Sequence, residues 1–267
     1  MRSTTVGFAL ALVGGNALAP LPRPVAAQPV DTAKVSTDPL FTGRDLWIAG
    51  GFVLTTIALY PADRALAREI QRDPLQNNHF LKASADFFDF MGTKGSVYIG
   101  VSMYAVGRVA RIERMADLGL HGTEALYLAQ TLVKLVKGLA GRARPQLDID
   151  DPRSFKLGRG FRDQDNYRSF PSGHAGMAFA AAAAVTSETS RWWPKSTWYV
   201  APVMYGGAAL VAISRMYDNR HWASDVIMGA TIGTFSGLKV VRYHHSHPNN
   251  RIDRWLLSTS VIPGARG

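Results

Sequence analysis

The sequence predicts an all-α fold, a helical bundle of about six core helices with its polar chemistry at one end. Three observations lead there. Six apolar stretches of helical length follow one another at about 44–60, 95–110, 123–140, 173–189, 197–214 and 222–241, each longer than a strand usually runs. None shows the alternation of a half-buried strand, and the fourth carries the run Ala180 to Ala184, a good helix former and a poor strand former. Pro61, Pro145, Pro171, Pro194 and Pro248 fall between or after the stretches, where helices start or stop.

Composition narrows the function classes. The chain has 267 residues, 47% hydrophobic and 19% charged, which is globular and large enough for a sizeable core. With no cysteine, a disulfide framework, a thiolate metal site and a cysteine nucleophile are all excluded. The formal net charge of +10 suits an anionic membrane, a phosphorylated substrate or a nucleic acid. No run of five basic residues occurs, so no nucleic-acid partner is expected.

The N-terminus, residues 1–27, reads as a secretory signal peptide. Arg2 supplies the positive start, Val6 to Val13 the short apolar core, and Val25, Ala26 and Ala27 the small residues before a cut. Gly14, Gly15 and Asn16 break the apolar stretch too early for a membrane anchor. Residues 28–43, with Pro29, Thr37, Asp38 and Pro39, form an extended lead-in; 44–243 form the helical domain and 244–267 a polar tail. Export to the periplasm or cell envelope follows.

The alternative, an integral protein with several spans, meets three objections. Of the charge-free runs only 196–214, at 19 residues, is clearly long enough to cross a bilayer. The mean hydropathy of −0.02 is low for six spans. Lys and Arg show no one-sided bias between alternate loops. A soluble or membrane-peripheral form is therefore the expectation; oligomeric state has no signature here.

Three motifs carry chemistry. In Lys137-Gly138-Leu139-Ala140-Gly141-Arg142-Ala143-Arg144-Pro145, Lys137 and Arg144 lie about two helical turns apart and can point the same way, a pair able to hold an oxyanion. Alone, it also fits a solvated basic helix end. In Phe170-Pro171-Ser172-Gly173-His174, Ser172 is an N-cap, Gly173 allows close backbone approach and the free N–H groups suit phosphate; an ordinary capped helix fits too. In the segment from Ser214 to Asp225, His221 and Asp225 at i and i+4 share a helical face. The carboxylate can fix the ring's tautomer and free its other nitrogen, with Arg215 adding a third cation; a structural His–Asp pair remains the alternative. In an up-down bundle all three motifs fall at the same end.

Together, in this order, Lys-x6-Arg-Pro, Pro-Ser-Gly-His and Ser-Arg-x5-His-x3-Asp resemble the type 2 phosphatidic acid phosphatase and vanadium haloperoxidase superfamily over about residues 95–240. The stretch from His221 to Val226 resembles its soluble bacterial acid phosphatases. The resemblance implies phosphate removal through a phosphohistidine: His221 as nucleophile, Asp225 holding its imidazolium, His174 as general acid and base, and Lys137, Arg144, Ser172, Gly173 and Arg215 binding phosphate. No metal and no cofactor are expected, because three fixed cations neutralise the phosphate. The substrate is a phosphomonoester, or a lipid or isoprenoid (di)phosphate.

Two other readings stay open. Vanadate in the same pocket would be an inhibitor or, in a haloperoxidase, the cofactor; a non-catalytic anion-binding module would use the same cations. The loop 146–170, rich in arginine, is expected to rim the pocket. His244, His245 and His247 could form a small metal cluster, but a polar tail is the expectation, and His79 and His121 read as plain loop residues.

Overall fold

The computed structural model describes residues 39–163, 166–247 and 250–257. The expected signal peptide and residues 28–38 of the lead-in lie outside them. Helix α1 (Gly43–Leu59) opens with the Thr42 amide donating to the Asp45 carboxylate at 2.7 Å. It runs through a 3₁₀ turn, Tyr60–Ala62, into α2 (Asp63–Ile70). Then come α3 (Asp73–Gln76), α4 (His79–Phe90), a π turn (Met91–Gly95) and α5 (Ser96–Ala110). The long α6 (Glu113–Ala140) is followed by a loop carrying α7 (Arg159–Arg162), then α8 (Gly173–Trp192), α9 (Thr197–Tyr217), α10 (Ala223–Ser246) and α11 (Arg251–Leu256). No strand occurs among the described residues.

The six expected stretches correspond to α1, α5, α6, α8, α9 and α10, but six is too few. Helix α4 and the short pieces add to them, and α6 begins ten residues before the apolar stretch at 123. The reason is polar residues on helical faces: Asp86 and Asp89 in α4, and Glu113, Arg114, Asp117 and His121 in α6 break the apolar runs without breaking the helices. Helix α8 is the axis, packed against α10, α9 and α6, while α5 lies on α6.

The seam between α8 and α10 is closed by small residues. A Cβ on Gly229 would stand 2.3 Å from the Ser172 carbonyl oxygen, and one on Gly233 2.1 Å from that of Gly176, so no side chain fits there. Alanine dominates the buried apolar residues, including Ala125, Ala129, Ala175, Ala180 and Ala182 to Ala184. The large apolar side chains face outward instead: Leu46, Trp47 and Leu54 on α1, Val109 on α5, Leu135 on α6, Trp198 and Val203 on α9. Trp47 is 84% exposed. Two segments, Gly43–Ile70 and Pro194–Tyr217, are long and apolar enough to cross a bilayer.

An exterior of this kind belongs to a membrane-associated protein, because so much contiguous apolar surface is not left to water. The expected soluble form is corrected accordingly. The charges that shortened the apolar runs turn inward and pair: Lys239 of α10 meets Asp45 of α1, and Glu124 of α6 meets His244 of α10.

Candidate active site

Helices α6 and α9 end, and α8 and α10 begin, around one polar centre. Helix α6 stops at Gly141 with a left-handed φ of 56°. That turn sends the chain back so that the Arg144 amide donates to the Asn166 carbonyl at 3.0 Å and the Ser169 amide to the Arg142 carbonyl at 3.1 Å. Ser172 caps α8, its hydroxyl accepting from the Ala175 amide at 3.4 Å, while its own amide donates to the Asp225 carbonyl at 2.8 Å. The first turns of α8 and α10 are thus tied together.

The structure brings the three motifs together. Lys137, in the last turn of α6, donates from Nζ to the Arg168 carbonyl at 2.5 Å, and its Cε would lie 3.7 Å from a Cβ on Gly173. Arg144 reaches the Arg220 carbonyl at 3.4 Å, next to His221. Arg215 is buried near the end of α9 and donates to Asp89 and, at 2.7 Å, to Asp218. His174 Nε2 stands 2.9 Å from Asp89 Oδ1.

His221, in the loop between α9 and α10, is only 3% exposed. Burial, then the positive charges of Lys137, Arg144 and Arg215, hold its imidazole well below the ordinary histidine range. The ring is therefore neutral near pH 7, with a free electron pair inside a cationic cradle.

The His221–Asp225 relation differs from expectation. Nδ1 and Oδ2 are 3.6 Å apart, beyond a hydrogen bond, and His221 Nδ1 has no hydrogen-bond partner among the described residues. The carboxylate is already occupied. It accepts from the Trp222 amide at 2.9 Å, from Ser169 Oγ at 2.5 Å and from Arg142 at 2.5 Å.

Two participants were not anticipated. Arg142 is fully buried and bridges Asp225 to Asp63 of α2 at 2.7 Å, and Asp63 in turn accepts from Ser224 Oγ at 2.5 Å. Its place inside the first motif was visible, but nothing in the spacing distinguishes it from Arg144. Asp89 joins His174 to Arg215 from α4, a helix the apolar pattern did not reveal. In the loop 146–170, Phe161 packs over Gly138 beside Lys137, and Leu157 is 85% exposed, so this loop carries apolar as well as basic residues.

Comparison with known proteins agrees with this geometry. The PAP2 superfamily matches residues 120–248, a span that takes in all three motifs. A Lipid A 1-phosphatase of Porphyromonas gingivalis is 40% identical over 83 residues, 31% of this chain; the match spans 18% of that protein's length. A transmembrane PAP2 type phosphatidylglycerolphosphate phosphatase from Bacillus subtilis has the same fold, with a TM-score of 0.57 and 20% identity over 79% of this chain and 99% of that one. Aquifex aeolicus LpxE gives a TM-score of 0.49 at 23% identity, over 68% and 96% of the two chains.

Proposed function

Because this chain belongs to the PAP2 superfamily, we propose that it removes phosphate from a membrane lipid through a phosphohistidine formed on His221. Hydrolysis of phosphate esters is the activity of a PAP2-type enzyme; the route and the substrate are the proposal.

One observation carries the route: His221 is buried, and burial with the charges of Lys137, Arg144 and Arg215 holds its imidazole well below the ordinary histidine range. The phosphate would lie among Lys137, Arg144 and Arg215, with the Ser172 hydroxyl and the Gly173 amide at the start of α8. His221 attacks phosphorus through Nε2, its Nδ1 keeping the proton 3.6 Å from the Asp225 carboxylate. The N–P bond forms as the ester P–O bond breaks, and His174 gives its proton to the leaving oxygen. Water then transfers a proton to His174 and attacks phosphorus, the N–P bond breaks, and inorganic phosphate and free His221 result. Asp225 steadies the imidazolium, and Arg142 keeps Asp225 in place. The three cations carry the charge neutralisation for which other phosphatases use metal ions.

A lipid substrate is supported by the apolar exterior and by Leu157 and Phe161 on the loop beside the cations. The same exterior supports α1 and α9, the two helices long and apolar enough, as membrane-crossing, in place of an exported soluble domain.

The test is a rapid quench with radiolabelled lipid phosphate under alkaline conditions, which preserve phosphohistidine. Label on the wild-type protein and none on His221→Ala is expected. Turnover without label on either protein would overturn the route. A panel of phosphatidic acid, phosphatidylglycerolphosphate, lipid A and an isoprenoid diphosphate ranks substrates against p-nitrophenyl phosphate. Bromide oxidation with vanadate and peroxide, in place of phosphate release, would favour the haloperoxidase reading.

A further inference from the structure

A second histidine cluster sits at the other end of the bundle, and the phosphatase chemistry makes no use of it. His121 precedes Lys137 by sixteen residues on α6, roughly 24 Å at the helical rise. His244 follows Asp225 by nineteen on α10, about 28 Å. Neither is the loop or tail residue expected: His121 and His244 are each 3% exposed, and their rings stack with centroids 4.0 Å apart.

We propose that His121, His244 and Asp253 bind a divalent transition-metal ion of the zinc class. The His121 Nε2 is buried without a hydrogen-bond partner among the described residues. It looks toward Asp253 Oδ1 at 3.7 Å, too far for a hydrogen bond and close to the roughly 3.4 Å that separates two ligands of one tetrahedral zinc ion. His244 Nδ1 approaches the same oxygen at 2.6 Å, and the three ligand atoms lie within 4.8 Å of one another.

The outer contacts complete the argument. The far nitrogen of each ring meets a carboxylate: His121 Nδ1 pairs with Glu188 Oε1 at 2.5 Å, and His244 Nε2 with Glu124 Oε2 at 2.7 Å. Carboxylates in that position fix the tautomer that offers the other nitrogen to a metal and raise its basicity. The free oxygen of Asp253 accepts from Asn250 Nδ2 at 2.6 Å. Two imidazoles and one carboxylate suit zinc, cobalt or nickel better than calcium or magnesium, which prefer all-oxygen sites.

A neighbouring trio, His121, Glu188 and His245, is equally compact. His121 meets Glu188 through Nδ1, whereas its unpartnered Nε2 faces Asp253, so the ion belongs with Asp253. Bound there, it would fasten α11 to α6 and α10.

The detergent-solubilised full chain, stripped with chelator, is titrated with Co²⁺ alone. Expected is one equivalent bound with the visible absorption of a low-coordinate cobalt site, displaced by Zn²⁺, retained in His221→Ala, and weakened at least tenfold in His244→Ala and Asp253→Asn. The wild-type titration decides on its own if a variant fails to fold: no stoichiometric Co²⁺ or Zn²⁺ would overturn the proposal and leave a hydrogen-bonded latch. Binding that vanishes in His221→Ala, or that survives both His244→Ala and Asp253→Asn, would overturn it too.

Discussion

At one end of the bundle His221 and His174 stand among lysine and arginine; at the other, His121, His244 and His245 stand among glutamate and aspartate. Helices α6 and α8 contribute to both sets, Lys137 and His174 at one end and His121 and Glu188 at the other. Imidazole chemistry is decided by the field around the ring. Cations keep His221 unprotonated and leave room for an anion, whereas carboxylates ask their imidazoles to carry a proton or accept a metal. One arrangement suits the proposed nucleophile, the other the proposed ligand set.

The contrast is broken most severely by His221→Ala, expected to lower phosphate release by about 10³-fold or more, as read in a p-nitrophenyl phosphate assay; His244→Ala should leave the chemical step far closer to wild type. Arg142→Ala comes next. It strands Asp63 and Asp225, both fully buried, and is expected to cost about 3–5 kcal/mol of stability, measured by thermal unfolding in detergent. Asp89→Asn loosens His174 and Arg215 together. A drop of about 10² in kcat is expected, the lower end of what a positioned general acid contributes, with KM for the same substrate moving less.

Smaller effects sharpen the picture. Gly229→Ala pushes a methyl against the Ser172 carbonyl and is expected to destabilise by about 1–3 kcal/mol, with turnover falling as the α8 turn shifts. The acid side gives the last test. The folded pKa of His221 lies below the free value of 6.5, so on acidification the unfolded chain takes up the proton first. Its contribution to stability is complete above about pH 6.5 and declines as pH falls below that value. The acid limb of kcat/KM in the free enzyme is expected below pH 6.5 for the same reason, and a limb at or above it would show that the cations do not set the ring's charge.

That the three motifs meet at one end was legible in the sequence, because each is held by a local device. An N-cap serine, a helix-ending Gly-Arg-x-Arg-Pro and an i, i+4 pair each have a spacing that can be read. Asp89 and Asp63 were not legible, since they reach the site only through the packing of α4 and α2. The His221–Asp225 hydrogen bond was inferred from spacing alone, and Arg142, Ser169 and the Trp222 amide claim the carboxylate first. The histidine end was misread for a related reason. His121, Glu188 and His244 sit on three different helices, and no linear pattern joins them.

The membrane reading failed on a premise about interiors. Hydropathy counting treats Glu124, Lys239 and Asp63 as interruptions, although each is neutralised by a partner on another segment of the chain. It also undervalues Ala180 to Ala184, whose small volume lets α10 approach α8 closely.

Helix α10 runs unbroken from Ala223 to Ser246, with Asp225 in its first turn and His244 in its last. Each residue turns an α-helix by about 100°. A single-residue insertion or deletion between those two positions would therefore rotate one end of the protein a quarter turn or more out of phase with the other. Whatever lineage this chain comes from, its α10 can change in letters but not in length.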